Sequence, residues 1–106
     1  MNFRGGMGEL MRQAGRIQRK VEKRREELSS ETFEASAGND KVTAVANGIP
    51  ELAEVRIAPG LLNEEDLDMV QDLVVAAANA ALTKAREHVD AEIEKITGGL
   101  SLPGVG

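Results

Sequence analysis

Arg12, Arg16, Arg19 and Lys23 follow one another at spacings of four, three and four residues. On a helix that rhythm puts four cations on one face. Arg16, Lys20 and Arg24 form a second row at spacings of four. The stretch from Arg12 to Arg25 holds seven of the chain's thirteen Lys and Arg residues, and its one acid is Glu22. So dense a run repels itself unless an anion relieves it. The chemistry open to it is neutralisation of a polyanion. Nucleic-acid phosphate is the leading choice, because Lys and Arg bind it and release its counterions. The other choices are an anionic membrane, an acidic protein, or acids on the chain's own second helix.

No other group of residues points to chemistry. There is no cysteine, which excludes a disulfide scaffold, a thiolate metal site and a Cys nucleophile. His88 is the one histidine and lacks clustered ligands, so a structural role is expected. Glu64, Glu65, Asp66 and Asp68 read as a helix first turn complementing the dipole, not a cation site. "GGMG" at 5–8 lacks the Gly-Lys-Ser/Thr of a phosphate loop. Ser29, Ser30, Ser36 and Ser101 have no nearby base and no nucleophile elbow. The expectation is a protein that is not an enzyme, with no cofactor, no metal and no small-molecule substrate.

The elements that position the cations can be read from apolar spacing. Residues 1–6 read as a flexible lead. Met7, Ala14, Val21 and Leu28 occupy one heptad position, and Leu10, Ile17 and Arg24 the other. This predicts a helix over 7–29 with a narrow apolar seam that only Arg24 interrupts. The basic rows fall largely on the face away from the seam. Ser29-Ser30 closes the helix. "ETFEASA", "KVTAVAN" and "LAEVRIA" then alternate as half-buried strands do, separated by "GND" and Asn47-Gly48. They predict a three-stranded antiparallel meander over 31–58. A second long helix is expected over 64–97, capped by Asn63 and carrying Val70 to Ile96 as its apolar pattern. A helix that long outruns the sheet, so part of it packs on the first helix or on a second subunit. Gly98 ends it, and 98–106 read as a disordered tail. The fold class is therefore α+β, a single domain of order α-β-β-β-α.

Composition bears on assembly and on mode of binding. The only aromatics are Phe3 and Phe33, and the apolar residues are mainly small, so a monomer would be marginal and at least a dimer is expected. Without Tyr or Trp there is no stacking platform for single strands. Phosphate-dominated binding to duplex DNA remains, with little base readout. Residues 1–25 carry a net charge of +6 and residues 26–106 a net −11, giving the chain's −5. That asymmetry suits a polyanion-binding arm on an acidic body. No apolar run is long enough to span a bilayer, and no signal-peptide region is seen at the N-terminus, so a cytoplasmic location is expected, with no membrane partner.

Three segments carry a resemblance. "GGMGELMRQAGRIQRKVEKRREEL" opens the chain, "SAGNDKVTAVANG" spans the first turn and second strand, and "VRIAPGLLNEEDLDMVQDLVVAAANAAL" joins the third strand to the second long helix. In order and spacing they resemble the YbaB/EbfC family of bacterial nucleoid-associated proteins, over nearly the whole chain. The resemblance implies a homodimer joined through its sheet and helix region, with helical arms that protrude like tweezers and bind double-stranded DNA. It also implies a place in the nucleoid, with roles in DNA organisation and gene regulation. Arg12 and Gln13 match the family's basic-Gln pair. Ala80 stands where the family often has Asp, "GND" replaces a more Gly-rich turn, and "RKVEKRR" is more basic than many members. The expected DNA-binding residues are Arg12, Arg16, Arg19, Lys20 and Lys23, joined by Arg4. The competing reading is a non-catalytic helical adaptor whose basic arm meets an acidic protein.

Overall fold

The structure, a computed structural model, describes the backbone of residues 3–99 and the side chains of residues 6–99. The basic segment lies on α1 (Phe3–Ser29). The strands are β1 (Thr32–Ala37), β2 (Val42–Asn47) and β3 (Leu52–Ile57). A short turn of helix, α2 (Leu61–Glu64), precedes the long α3 (Leu67–Thr97). The expected α+β order of helix, three strands and long helix is what the chain adopts. The expected tail from Leu100 onward lies outside the described residues.

The sheet is antiparallel in the order β1-β2-β3. Gly38, Asn39 and Asp40 all take positive φ between β1 and β2. Asn and Asp tolerate that region better than other side-chain-bearing residues. At Gly38 a Cβ would also press on Leu73 at 3.0 Å, so glycine serves both backbone and packing. Asn47-Gly48 does not form the two-residue hairpin its sequence suggests. The Asn47 Oδ1 accepts from the amides of Ile49 at 3.0 Å and Glu51 at 2.8 Å, closing a longer loop. Gly48 is required by close approach, since a Cβ there would stand 2.1 Å from the Leu28 carbonyl oxygen. That contact clamps the end of α1 to the β2–β3 loop.

Two expected boundaries shift. The helix expected from Met7 begins at Phe3, so the lead assigned to 1–6 is helical over its described part. The helix expected over 64–97 is broken. Leu61–Glu64 turns once, Glu65 is extended, and Asp66 rather than Asn63 caps α3, its carboxylate accepting from the Met69 amide at 2.8 Å. Asn63 and Asp66 are both competent caps. The break lets α2 drop Leu61 into the core, where it is almost fully buried, and that burial favours the later start. At the other end, Gly98 takes a left-handed cap and donates to the Glu94 carbonyl at 2.8 Å, as expected for a helix stop.

The core divides along α3. Its first half covers the sheet: Val70, Ala77, Ala81 and Ala85 pack on Phe33, Val42, Ala44, Ala46 and Leu61. Alanine at these positions brings helix and sheet close. Its second half leaves the sheet and pairs with α1. There Val89 and Ile93 meet Val21 and Leu28, flanked by Ile17 and Ile96. The molecule is accordingly long and thin, 75 × 19 × 17 Å. Sheet, two-helix stalk and single-helix tip follow one another along its length.

Candidate nucleic-acid interface

The α1 seam decides which way the cations face. Val21 and Leu28 are buried against α3. Arg12, Arg16, Arg19, Lys20 and Lys23 lie on the other side of the helix, and all five are exposed. The structure thus brings the expected residues to one solvent face. Arg4 lies in the first turn of α1, but its side chain is outside the described residues.

Partners divide the five into two groups. On the tip, Glu9 accepts from Arg12 at 2.9 Å and approaches Arg16 at 3.3 Å. All three side chains are about half exposed. Such pairs are worth little and exchange readily with water or another anion. On the stalk, Arg19, Lys20 and Lys23 form no ion pair among the described residues. Arg25, which was not among the expected site residues, is also exposed and unpaired in the same sense. Its position on the flank of the seam kept it out of both basic rows.

Arg24 belongs to the stalk's structure. Its guanidinium donates to Glu92 of α3 at 2.5 Å and also approaches Glu27 at 3.4 Å and Glu31 at 3.8 Å. Lys95 bonds Glu92 from the other side at 2.5 Å. These two cations, Lys95 first and Arg24 second, hold the Glu92 carboxyl down to about 2, and the bond to Glu92 chiefly raises Arg24 above its ordinary value. The residue that interrupts the seam therefore meets an acid of α3 there. Among the stalk cations of α1, it is the one that α3's acids neutralise.

His88 and the charged residues of the outer sheet face have partners within the fold. The His88 ring lies 5.1 Å from that of Phe33, and its Nε2 is 3.9 Å from Glu31. On the outer sheet face, Arg56 bonds Glu34 at 3.0 Å and also Glu54. Both acids lie opposite Val45 in register, so the cluster spans β2 and buries that valine. Among the described residues, no group of three or more His, Asp or Glu is placed to hold a metal ion. No described helix is long and apolar enough to cross a membrane.

The model of the YbaB/EbfC DNA-binding family matches residues 3–100. The chain belongs to this family. A protein of Acetivibrio thermocellus named nucleoid-associated protein is 48% identical over 104 residues, covering 97% of this chain and 92% of the relative. One of the same name from Myxococcus xanthus is 42% identical over 96 residues, covering 91% of each. Among solved structures, an uncharacterized Helicobacter pylori protein superposes with a TM-score of 0.59 at 18% identity, over 78% of this chain and 92% of that one. At that identity the likeness shows a shared fold. Membership of the YbaB/EbfC family makes this a nucleoid-associated DNA-binding protein.

Proposed function

We propose that the chain acts as a homodimer that binds duplex DNA along its helical arms, with Arg19, Lys20 and Lys23 as the principal phosphate contacts. Arg12 and Arg16 add to them once Glu9 is displaced, and Arg4 extends the stripe toward the arm's end. One observation carries the reading: Arg19, Lys20 and Lys23 are exposed and have no ion-pair partner among the described residues, on the face turned away from the packed seam. An ordered row of unneutralised cations suits a regularly spaced polyanion. The acidic body, repelled by the duplex, leaves the arm as the point of contact.

Assembly follows from β3. It ends the sheet, is exposed along its whole length, and presents Leu52, Val55 and Ile57 to solvent. An open apolar edge invites pairing. On α3, Lys84 reaches the Glu34 carbonyl over β1. By helical spacing, Val75 lies on the opposite flank, toward β3, and is also exposed. A second copy laid over β3 and this flank of α3 covers both, and each dimer then carries two arms. The role is architectural and non-catalytic: organising DNA in the nucleoid, with effects on gene expression.

A mobility-shift titration on random-sequence duplex at two salt concentrations, beside a light-scattering mass, tests this reading. The expected result is a two-chain mass and an affinity that drops steeply with salt. A one-chain mass contradicts the dimer. Absence of a shift, with capture of an acidic protein instead, favours the adaptor reading.

A further inference from the structure

The seam between α1 and α3 is aliphatic except at one point. Val21 and Leu28 pack with Val89 and Ile93, flanked by Ile17 and Ile96. Such contacts are non-directional, so turning α1 about its axis trades one aliphatic contact for another. A turn by one residue swings every side chain by about 100°. The close approach of Gly48 to the Leu28 carbonyl fixes where α1 ends, but one contact at the helix end does not set the roll of the turns beyond it. The exception in the seam is polar on both sides. Of the α1 cations among the described residues, Arg24 alone is not exposed. Of the α3 acids, Glu92 alone is drawn in, whereas Asp68, Asp72, Glu87, Asp90 and Glu94 face solvent. These two are the ones that meet, at 2.5 Å, with side chains 29% and 15% exposed.

We infer that Arg24 and Glu92 are positioning residues for DNA binding: their pair sets the roll of α1 on α3 and so keeps Arg19, Lys20 and Lys23 turned to solvent together. The inference rests on the reading that those three cations contact phosphate. Arg24 stands at a heptad position of the seam, and in paired helices one polar residue in an apolar seam fixes register at a cost in stability. Both partners are held from further sides. Lys95 bonds Glu92 at 2.5 Å, while Glu27 lies 3.4 Å and Glu31 3.8 Å from Arg24. The guanidinium therefore has one place to sit, and α1 one roll that puts it there. In any other roll part of the basic row turns toward α3 and is lost to the duplex. The pair serves orientation more than stability, since apolar residues of similar volume in place of an enclosed ion pair are often neutral or stabilising.

The R24L/E92L variant of the full chain tests this, because it removes one cation and one anion and leaves the net charge unchanged. It should unfold at no lower denaturant concentration than the parent. It should nevertheless bind random duplex about eightfold more weakly at about 0.1 M salt, with a log–log salt slope shallower by about 0.9, the loss of one phosphate contact. Arg24→Lys, which keeps a charge facing Glu92, should bind as the parent does. The roll itself is read from spin labels at Glu22→Cys and Asp90→Cys, since the chain has no cysteine of its own, with labelled chain diluted in excess unlabelled chain. The parent should give one narrow distance, and R24L/E92L a broadened or second one. Parental affinity and slope in R24L/E92L overturn the inference. So does an unchanged label distance, or a binding loss that only tracks a lower unfolding midpoint. R19E/K20E/K23E, measured beside it, separates the two readings. If that reversal leaves affinity unchanged, the phosphate reading fails, while the label distances still decide whether the pair sets the roll.

Discussion

The two halves of α1 share one heptad pattern and meet different fates. From Ile17 to Leu28 the seam is buried against α3, and Arg24 is fixed between Glu92 of α3 and Glu27 of its own helix. From Met7 to Ala14 the same pattern meets nothing along α3, and the cations share Glu9. The difference teaches that periodicity reports a helix with an apolar face, whereas the partner for that face is set by where another element ends. It also separates two kinds of cation. Arg19, Lys20 and Lys23 stand on the packed stalk without an ion-pair partner among the described residues, and Arg12 and Arg16 sit on a less supported helix with a carboxylate already at hand.

The sharpest way to break the comparison is truncation of the seam on each side. Leu28→Ala should cost about 3 kcal/mol in chemical unfolding, since its side chain is fully buried. Leu10→Ala should cost about 0.5 kcal/mol. Equal losses would mean that the tip is packed as the stalk is. Next in size, Gly48→Ala should destabilise the fold by about 2 kcal/mol, because its Cβ is aimed at the Leu28 carbonyl and neither backbone can yield freely. A neutral Gly48→Ala would show that the clamp on the end of α1 is loose.

Acid should loosen the stalk. The Glu92 carboxyl is held near 2, from an ordinary 4.5, by Lys95 and Arg24. Its folded value lies below its unfolded one, so the stabilisation is present above about 4.5 and is lost as pH falls toward 2. Hydrogen exchange at the Val21 and Arg24 amides should therefore quicken through that window, and Glu92→Gln should remove this dependence. A stalk whose exchange responds to pH equally in both proteins would contradict the pairing. The smallest effect is expected at Glu9. Glu9→Gln frees Arg12 and Arg16, so DNA affinity should rise by a few fold at low salt. No change would mean that Glu9 already yields them to phosphate.

Much of this was legible in the sequence. Alternation gave three strands to within a residue, because each keeps one face on α3 or in water. The heptad located α1 and turned its cations outward. The α3 start was misplaced because Asn63 and Asp66 satisfy the same capping chemistry, and only the burial of Leu61 decides between them. Asn47-Gly48 looks like a tight turn, yet its glycine answers to Leu28, twenty residues away in sequence and invisible to local pattern. Arg24 was seen as a fault in the seam, but its acid lies on α3, and no spacing rule links the two. Arg25 was missed for a related reason: helical geometry puts it beside the seam, and the structure leaves it exposed all the same.

The central claim is that the unneutralised stalk face is the DNA contact. Fluorescence anisotropy of a random duplex, measured across a salt series, tests it with two charge reversals: R19E/K20E/K23E on the stalk and R12E/R16E on the tip. The account predicts that the stalk variant loses at least tenfold in affinity, more than the tip variant, while the dimer mass is unchanged. Its log–log salt slope should become shallower by about 0.9 for each phosphate contact removed. A stalk variant with the parent's affinity and salt slope would contradict the account.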